Sequence, residues 1–123
     1  MKKITIEFCD KSEIRNNGVG DYFYDGNNDL VVRTVDLPNQ NMALAVALHE
    51  IIEEALTRLH GIPEPDIDKF DAKFLADGRK GEPGDAPDSP YKLEHRIAEN
   101  IERQFIQHCG IDWNEYNDLL YNL

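Results

Sequence analysis

Three features of this chain point to an α+β domain, a small antiparallel sheet of about three strands followed by three to four helices. Apolar residues alternate with period two near the N-terminus, the period lengthens to that of a helix from Asn41, and Gly/Pro clusters separate the later segments. A length of 123 residues supports one hydrophobic core and not two. Residues 1–36 are therefore expected to supply the sheet, and 40–123 the helices, of a single domain.

From Lys3 to Phe8, Ile4, Ile6 and Phe8 share one face and Thr5 and Glu7 the other, the pattern of a half-buried strand. A polar stretch with Asn16-Asn17-Gly18 leads to Asp21–Tyr24, aromatic and strand-like. Asp25-Gly26-Asn27-Asn28 is turn chemistry, and the β-branched run from Leu30 to Val35 reads as the returning strand of a hairpin. From Asn41, Leu44, Leu48, Ile51, Ile52, Ala55 and Leu59 recur at helical spacing as one broad apolar stripe. Asn39 or Asn41 can cap this helix, and Gly61 with Pro63 stops it.

A shorter helix is expected from Asp66 to about Leu75, burying Ile67, Phe70 and Phe74. Residues 77–90 hold three glycines and three prolines, a loop long enough to suggest a role over a site or in pinning two helices. Ser89-Pro90 resembles a helix entry, with a capping residue and then proline at the first helical position. The helix it opens runs to about Cys109, with Leu93, Ile97, Ile101 and Phe105 on its apolar side and Gly110 at its end. Asp112 and Glu115 have capping-box spacing before a last helix carrying Trp113, Tyr116, Leu119 and Leu120 on one side.

The bulk composition narrows the partners. Net charge is −11, from 24 acidic and 13 basic residues, which argues against binding nucleic acid, whose affinity comes largely from Lys and Arg on phosphates. No apolar run reaches the roughly 20 residues of a membrane span, and the opening Met-Lys-Lys-Ile-Thr-Ile-Glu lacks a secretory apolar core. Two cysteines, Cys9 and Cys109, form no C-x-x-C pair and no disulfide framework. The expectation is a cytoplasmic protein, in the host cytoplasm if the chain is phage-encoded, with a substrate or protein partner the sequence leaves open.

The chemistry concentrates in Ala47-Leu-His-Glu-Ile-Ile-Glu-Glu-Ala55. His49 and Glu53 are four residues apart, on one face of the helix a turn from each other, and the string reads as H-E-x-x-H with glutamate in the second histidine position. On a wheel of about 100° per residue, the stripe centres near Leu48 and the pair sits on its flank. On the later helix Glu94 lies within the apolar stripe and His95 at its edge with Glu102. An ionised carboxylate there is expensive unless paired or metal-bound. If the two helices pack together, His49, Glu53 and His95 supply three ligands, the number a catalytic zinc takes while keeping a position for water.

Glu50 is then the candidate general base toward a water made acidic by the metal, in a metal-assisted hydrolysis. The carboxylate ligand suits zinc and leaves iron or manganese open. His60 shares the wheel angle of His49 but lies about 16 Å along the helix, too far to join it.

The runs Ala47–Glu53, Gly61-Ile62, Phe70-Asp71, Gly84-Asp85, Pro90-Tyr91, Glu94-His95, Ile101-Glu-Arg103 and Gly110–Trp113 resemble a family of small phage and prophage-borne proteins without an assigned function. The resemblance spans roughly 45–116. It implies a phage or prophage origin and singles out His49, Glu50, Glu53, Asp71, Asp85, Glu94 and His95, with Asp71 and Asp85 in supporting places. More distantly the chain is similar to minimal zincin-like phage proteins. On that mapping His49 and Glu50 match, position 53 departs, and the later ligand is His95, Glu94 or Glu99.

The leading expectation is thus a zincin-like metal-binding protein, hydrolytic through a His/Glu/His centre. A second is a non-enzymatic phage accessory protein in which the same residues form a buried polar network. A third is a metal-dependent nucleotide pyrophosphohydrolase, for which Glu53-Glu54, Glu99 and Glu102 would be the acidic residues.

Overall fold

The computed structural model describes residues 1–123. Strands β1 (Ile4–Cys9), β2 (Gly20–Tyr24) and β3 (Leu30–Val35) are followed by helices α1 (Gln40–Leu59), α2 (Glu64–Ala76), α3 (Lys92–His108) and α4 (Trp113–Tyr121). The α+β class and the order of strands before helices match the periodicities.

The sheet is mixed rather than antiparallel. β2 and β3 form the expected hairpin, with Tyr22 opposite Val32, and β1 joins the other side of β3 in parallel, giving the order β1-β3-β2. The turn explains this. Asp25 Oδ1 accepts the backbone N–H groups of Asn27 (2.9 Å) and Asp29 (3.0 Å), and Asn28 takes the left-handed conformation at φ 59°, so β2 and β3 are committed as neighbours. Residues 10–19, which include two single 3₁₀ turns, carry the chain past the place that β3 fills. β1 is left the remaining edge.

Burial differs from the apolar patterns in three places. Leu30, Val32 and Thr34 of β3 are fully buried, yet Ile4, Ile6 and Phe8, their register partners on the same sheet face, are 49%, 37% and 40% exposed. α1 packs across β3 and β2 and stops short of β1. On α1 itself the stripe around Leu48 is only half-buried and Leu59 is 74% exposed; the covered side carries Ala43, Val46, Ala47, Glu53, Glu54 and Thr57.

The helix is apolar on both sides, so its pattern alone does not choose which side faces inward. Small residues and satisfied polar groups make the choice. Ala43 and Ala47 let the backbone approach the sheet closely, and Thr34 Oγ1 donates to the Ala43 carbonyl at 3.2 Å. Glu54, 1% exposed, accepts from Tyr24 Oη (2.7 Å) and Arg58 Nε (2.8 Å), which offsets the desolvation of its carboxylate.

α3 shows the same inversion. Leu93 is 57% exposed and Ile97, Ile101 and Phe105 are half-buried, whereas Glu94, His95, Ala98, Glu102 and Ile106 are buried. The helix also begins at Lys92, two residues beyond the Ser89-Pro90 entry, because Ser89 Oγ accepts the Tyr91 N–H in the preceding turn instead. α2 starts earlier than expected, at Glu64, with Pro65 in its first turn where a missing N–H is harmless; Ile67 and Phe74 are buried and Phe70 half-buried.

Capping follows the sequence closely. Asn39 accepts the N–H groups of Asn41 and Met42, an arrangement worth about 1 kcal/mol, and Asp112 accepts that of Glu115 at the start of α4. Ile106, Trp113 and Tyr116 pack on Ala45 and Val46, clamping α4 and α3 onto α1, while Tyr22, Leu30 and Val32 pack on Ala47 from the sheet. α1 is therefore the central element, held from two sides. No helix is long and apolar enough to cross a membrane.

Candidate metal centre

α1 and α3 lie side by side, and their polar inner faces meet at His49, Glu53 and His95. The i, i+4 spacing brings His49 Nε2 to 3.1 Å from Glu53 Oε2, and α3 places His95 Nδ1 3.2 Å from His49 Nε2 and 3.0 Å from the same Glu53 oxygen. Three potential ligand atoms thus form a nearly equilateral triangle. Zinc bonds of about 2.0–2.1 Å in tetrahedral array require ligand atoms roughly 3.3 Å apart. The observed edges are those of one tetrahedral face, drawn in by a few tenths of an ångström.

The orientation of His49 is set from behind. Its Nδ1 lies 2.7 Å from Glu102 Oε1, and the other Glu102 oxygen accepts a short hydrogen bond from Tyr116 Oη. A carboxylate accepts only, so in the metal-free protein Nδ1 donates to Glu102 and Nε2 to Glu53; a cation would have to displace the Nε2 proton, while Nδ1–H stays on Glu102. This carboxylate–histidine arrangement is the usual support of a metal-binding imidazole.

His95 is held by the loop that precedes α3. A side chain at Gly84 would place Cβ 2.3 Å from His95 Cγ and 2.5 Å from Nδ1, so the backbone of Pro83–Asp85 lies directly on the imidazole. Glu82 Oε2 and Asp85 Oδ1 stand 3.0 and 3.3 Å from His95 Nε2, but off the direction a hydrogen bond needs, leaving that buried nitrogen without a hydrogen-bond partner. Tyr91 stacks edge-on against the ring at 6.1 Å, and its hydroxyl donates to Asp71 Oδ1 at 2.7 Å. The 77–90 loop both covers the centre and pins it.

The electrostatics are those of an acid-rich buried cluster. Burial disfavours the charged form of His49, but hydrogen bonds to Glu102 and Glu53 outweigh it and hold the ring well above its ordinary range. His95 is likewise opposed by burial and raised to about 10 by Glu53 and Glu82. Glu53, though buried, is kept below the usual carboxylate range by the two imidazoles. Without metal, the raised His95 adds stability that is complete below its unfolded value near 6.5 and lost as pH rises through about 10. Burial pushes Asp71 up to about 6 despite its bond to Tyr91.

Glu50 stands differently from the rest. It has no hydrogen-bonded partner and shares with His49, Glu53, His95, Tyr22 and Tyr91 a cleft of about 170 Å³. Burial, then the neighbouring charge of Glu53, raises its carboxyl well above the ordinary range. β2 comes close at this point because residue 20 is glycine: a Cβ there would meet Val46 Cγ1 at 2.7 Å and Glu50 Oε1 at 3.1 Å.

The alternative ligands are placed elsewhere. Glu94 turns to His60, 2.8 Å away, which explains both a carboxylate on the inner stripe and the histidine set aside for its distance along α1. Glu99 lines the cleft outside the three-atom triangle. Glu54 is committed to Tyr24 and Arg58, and Glu102 to His49 and Tyr116, so the acidic residues of a pyrophosphohydrolase site are divided between separate partners. Arg79 and Asp88 pair with each other at the loop surface.

Sequence reasoning missed the positioning roles of Glu102 and Tyr116 and the contact made by Gly84. The first had a signal: Glu102 lies seven residues after His95, two turns along the same face. The fit of Gly84 to an imidazole had none. No family model, curated protein or solved structure matches this chain, and the chemistry rests on the geometry of the centre.

Gly84→Ala is expected to destabilise the protein by about 1–3 kcal/mol, as overpacking does, and to weaken metal binding because His95 must move. Thermal melts and zinc titrations of the variant check both. Unchanged values would mean that the loop yields freely and does not hold the ring.

Proposed function

We propose that the chain is a metal-binding protein that holds one divalent cation between His49, Glu53 and His95, and that Glu50 makes the centre hydrolytic. The triangle of ligand atoms with edges of 3.0–3.2 Å carries the reading. Two imidazoles and a carboxylate suit zinc, with iron or manganese admitted by the oxygen donor. A phage or prophage setting and a zincin-like lineage rest on the sequence resemblance alone.

A cation at this position supplies Lewis acidity, polarising a carbonyl and making water a stronger acid. The protein's own groups do the rest. His49 and His95 are kept in register by Glu102 and by the Gly84 loop, so little reorganisation accompanies binding. Glu50, free of partners and raised by its surroundings, can accept a proton from water in the cleft and return it to a leaving group. Tyr22 and Tyr91 wall the cleft, and such exclusion of bulk water strengthens every charge interaction inside it. Amide hydrolysis is the reaction class that this combination fits best.

Metal analysis of the full chain purified without a histidine tag tests the first half, with about one zinc per chain expected. Glu50→Gln tests the second: it should keep the metal and lose 10²–10⁴-fold in cleavage of a quenched peptide library, the usual size of a general-base effect. Equal cleavage by the two proteins would remove Glu50 from the chemistry.

A non-enzymatic interaction protein is the second reading. What supports it is the continuity of the network Tyr116–Glu102–His49–Glu53–His95, whose short contacts protons alone can close. The two readings differ in their response to pH. Ligand histidines must shed protons to bind metal, so zinc affinity should rise with pH between about 6.5 and the His95 value of about 10. Proton release, measured calorimetrically in buffers of different ionisation enthalpy, should lie between one and two per zinc. Zinc uptake without proton release would place the ion elsewhere.

A further inference from the structure

On the side of α1 opposite the cleft, the molecule leaves an apolar face partly uncovered. Its centre is the row Leu44, Leu48, Ile51, Ile52, Ala55 and Leu59; Leu59 is exposed and the others are half-buried, Ile51 with one side against the cluster of Tyr22, Leu30, Val32 and Ala47. β1 borders it on one side with Ile4, Ile6 and Phe8, which share the helix-facing side of the sheet with Leu30, Val32 and Thr34 but lie beyond the reach of α1. α3 borders it on the other side with Leu93, Ile97 and Ile101. None of these twelve residues is charged, in a chain of net charge −11. Arg58, the one charged α1 residue flanking the row, has its guanidinium tied to Glu54 at 2.8 Å.

We infer that this face pairs two copies of the chain about a two-fold axis passing between Ile51 and Ile52. The row is palindromic about that point. An antiparallel copy of α1 sets Leu44 against the partner's Leu59, Leu48 against the partner's Ala55, and Ile51 against the partner's Ile52. Each large side chain at Leu48 then meets a small one, as interdigitating cores require. An isologous interface demands this self-complementarity, whereas a foreign partner gives no reason for it.

Charge and size agree with the same occupant. A neutral apolar face offers nothing to a basic or acidic ligand, and the acidic groups of two copies stay outside the contact. α1 spans about 30 Å at 1.5 Å per residue, and with its two bordering rows the face covers on the order of 600 Å² per copy, at the upper end of the apolar patches that monomers leave exposed. The total of about 1,200 Å² reaches the lower end of stable protein interfaces. β1, an edge strand with apolar side chains, is also protected by such a contact from pairing with other chains.

The cleft lies on the other side of α1, so this inference stands apart from the metal reading. Light scattering on the full chain during size exclusion at micromolar concentration should give twice the 14.1 kDa chain mass. Leu48→Glu and Ile52→Glu should each give a monomer with the far-UV spectrum of the wild type. Leu59→Glu, at a position 74% exposed, leaves the fold untouched and should raise the dissociation constant at least tenfold. A wild type that is monomeric throughout, or a dimer indifferent to Leu59→Glu and Ile52→Glu, overturns the proposal and gives the face to another partner.

Discussion

Zinc is expected to raise the melting temperature of the wild-type protein by roughly 15 °C and that of His49→Ala by almost nothing. A ligand present at a thousand times its dissociation constant stabilises the folded state by about 4 kcal/mol. In a chain of this length each kcal/mol moves the midpoint by about 4 °C. His49 contributes one corner of the ligand triangle, and its loss leaves Glu53 and His95, which lie 3.0 Å apart, as a two-point site.

The variant also leaves Glu53 and Glu102 without their shared imidazole, so its metal-free form should itself be weaker, by the 3–5 kcal/mol typical of a broken buried pair. The informative quantity is the difference between melts with and without zinc. Equal zinc-dependent shifts in the two proteins would place the metal elsewhere, and no shift in either would remove it altogether.

Glu102→Ala should be the most damaging single change outside the ligand triangle. Its carboxylate is buried and bonds His49 Nδ1 with one oxygen and Tyr116 Oη with the other. Removing it orphans two buried donors at about 1–3 kcal/mol each and opens a void beneath α4. Glu102→Gln keeps the shape and the bond to Tyr116 or His49, but no longer offers an anion to the imidazole. A 10–100-fold loss of zinc affinity, with little loss of stability, is the expected signature of that milder change. Zinc titrations and urea melts on the two variants separate the effects. If Glu102→Gln binds zinc as the wild type does, the carboxylate holds the fold together without tuning the metal.

Much of the architecture was readable from local chemistry. Asn39, Gly61 and Asp112 mark helix ends because a cap is a matter of neighbouring backbone groups, and the Asp25–Asn28 turn specifies its hairpin for the same reason. His49 and Glu53 face each other because helical geometry puts i and i+4 together. That His95, 46 residues after His49, completes the triangle depended on the packing of two helices. Tertiary packing places it there.

Direction was harder to read than position. Apolar spacing located the helices and misassigned their inner faces, since Leu93 is exposed and Leu48, Ile52 and Ile97 are only half-buried while Glu53, Glu54, Glu94 and Glu102 are buried. A hydrophobic stripe states that a face avoids water; it does not state which neighbour covers it. Here the inner faces combine small apolar residues with polar groups that mostly pair with one another, and the proposed second copy covers the outer apolar ones. Pairing order in the sheet was hidden for a similar reason, because β1 reaches β3 across the 10–29 segment and no local signal records that partner.

The sequence by itself therefore determined the helices and strands, several of their caps, the α+β order and the two candidate ligands that share one helical turn. Tertiary structure alone decided the parallel place of β1, the inward turn of the acidic faces, and the meeting of His95, Glu102 and Gly84 around His49. The physical reason is range: capping, turns and i, i+4 contacts are settled within a few residues, whereas burial and ligand geometry are settled by whatever the rest of the chain brings to the other side.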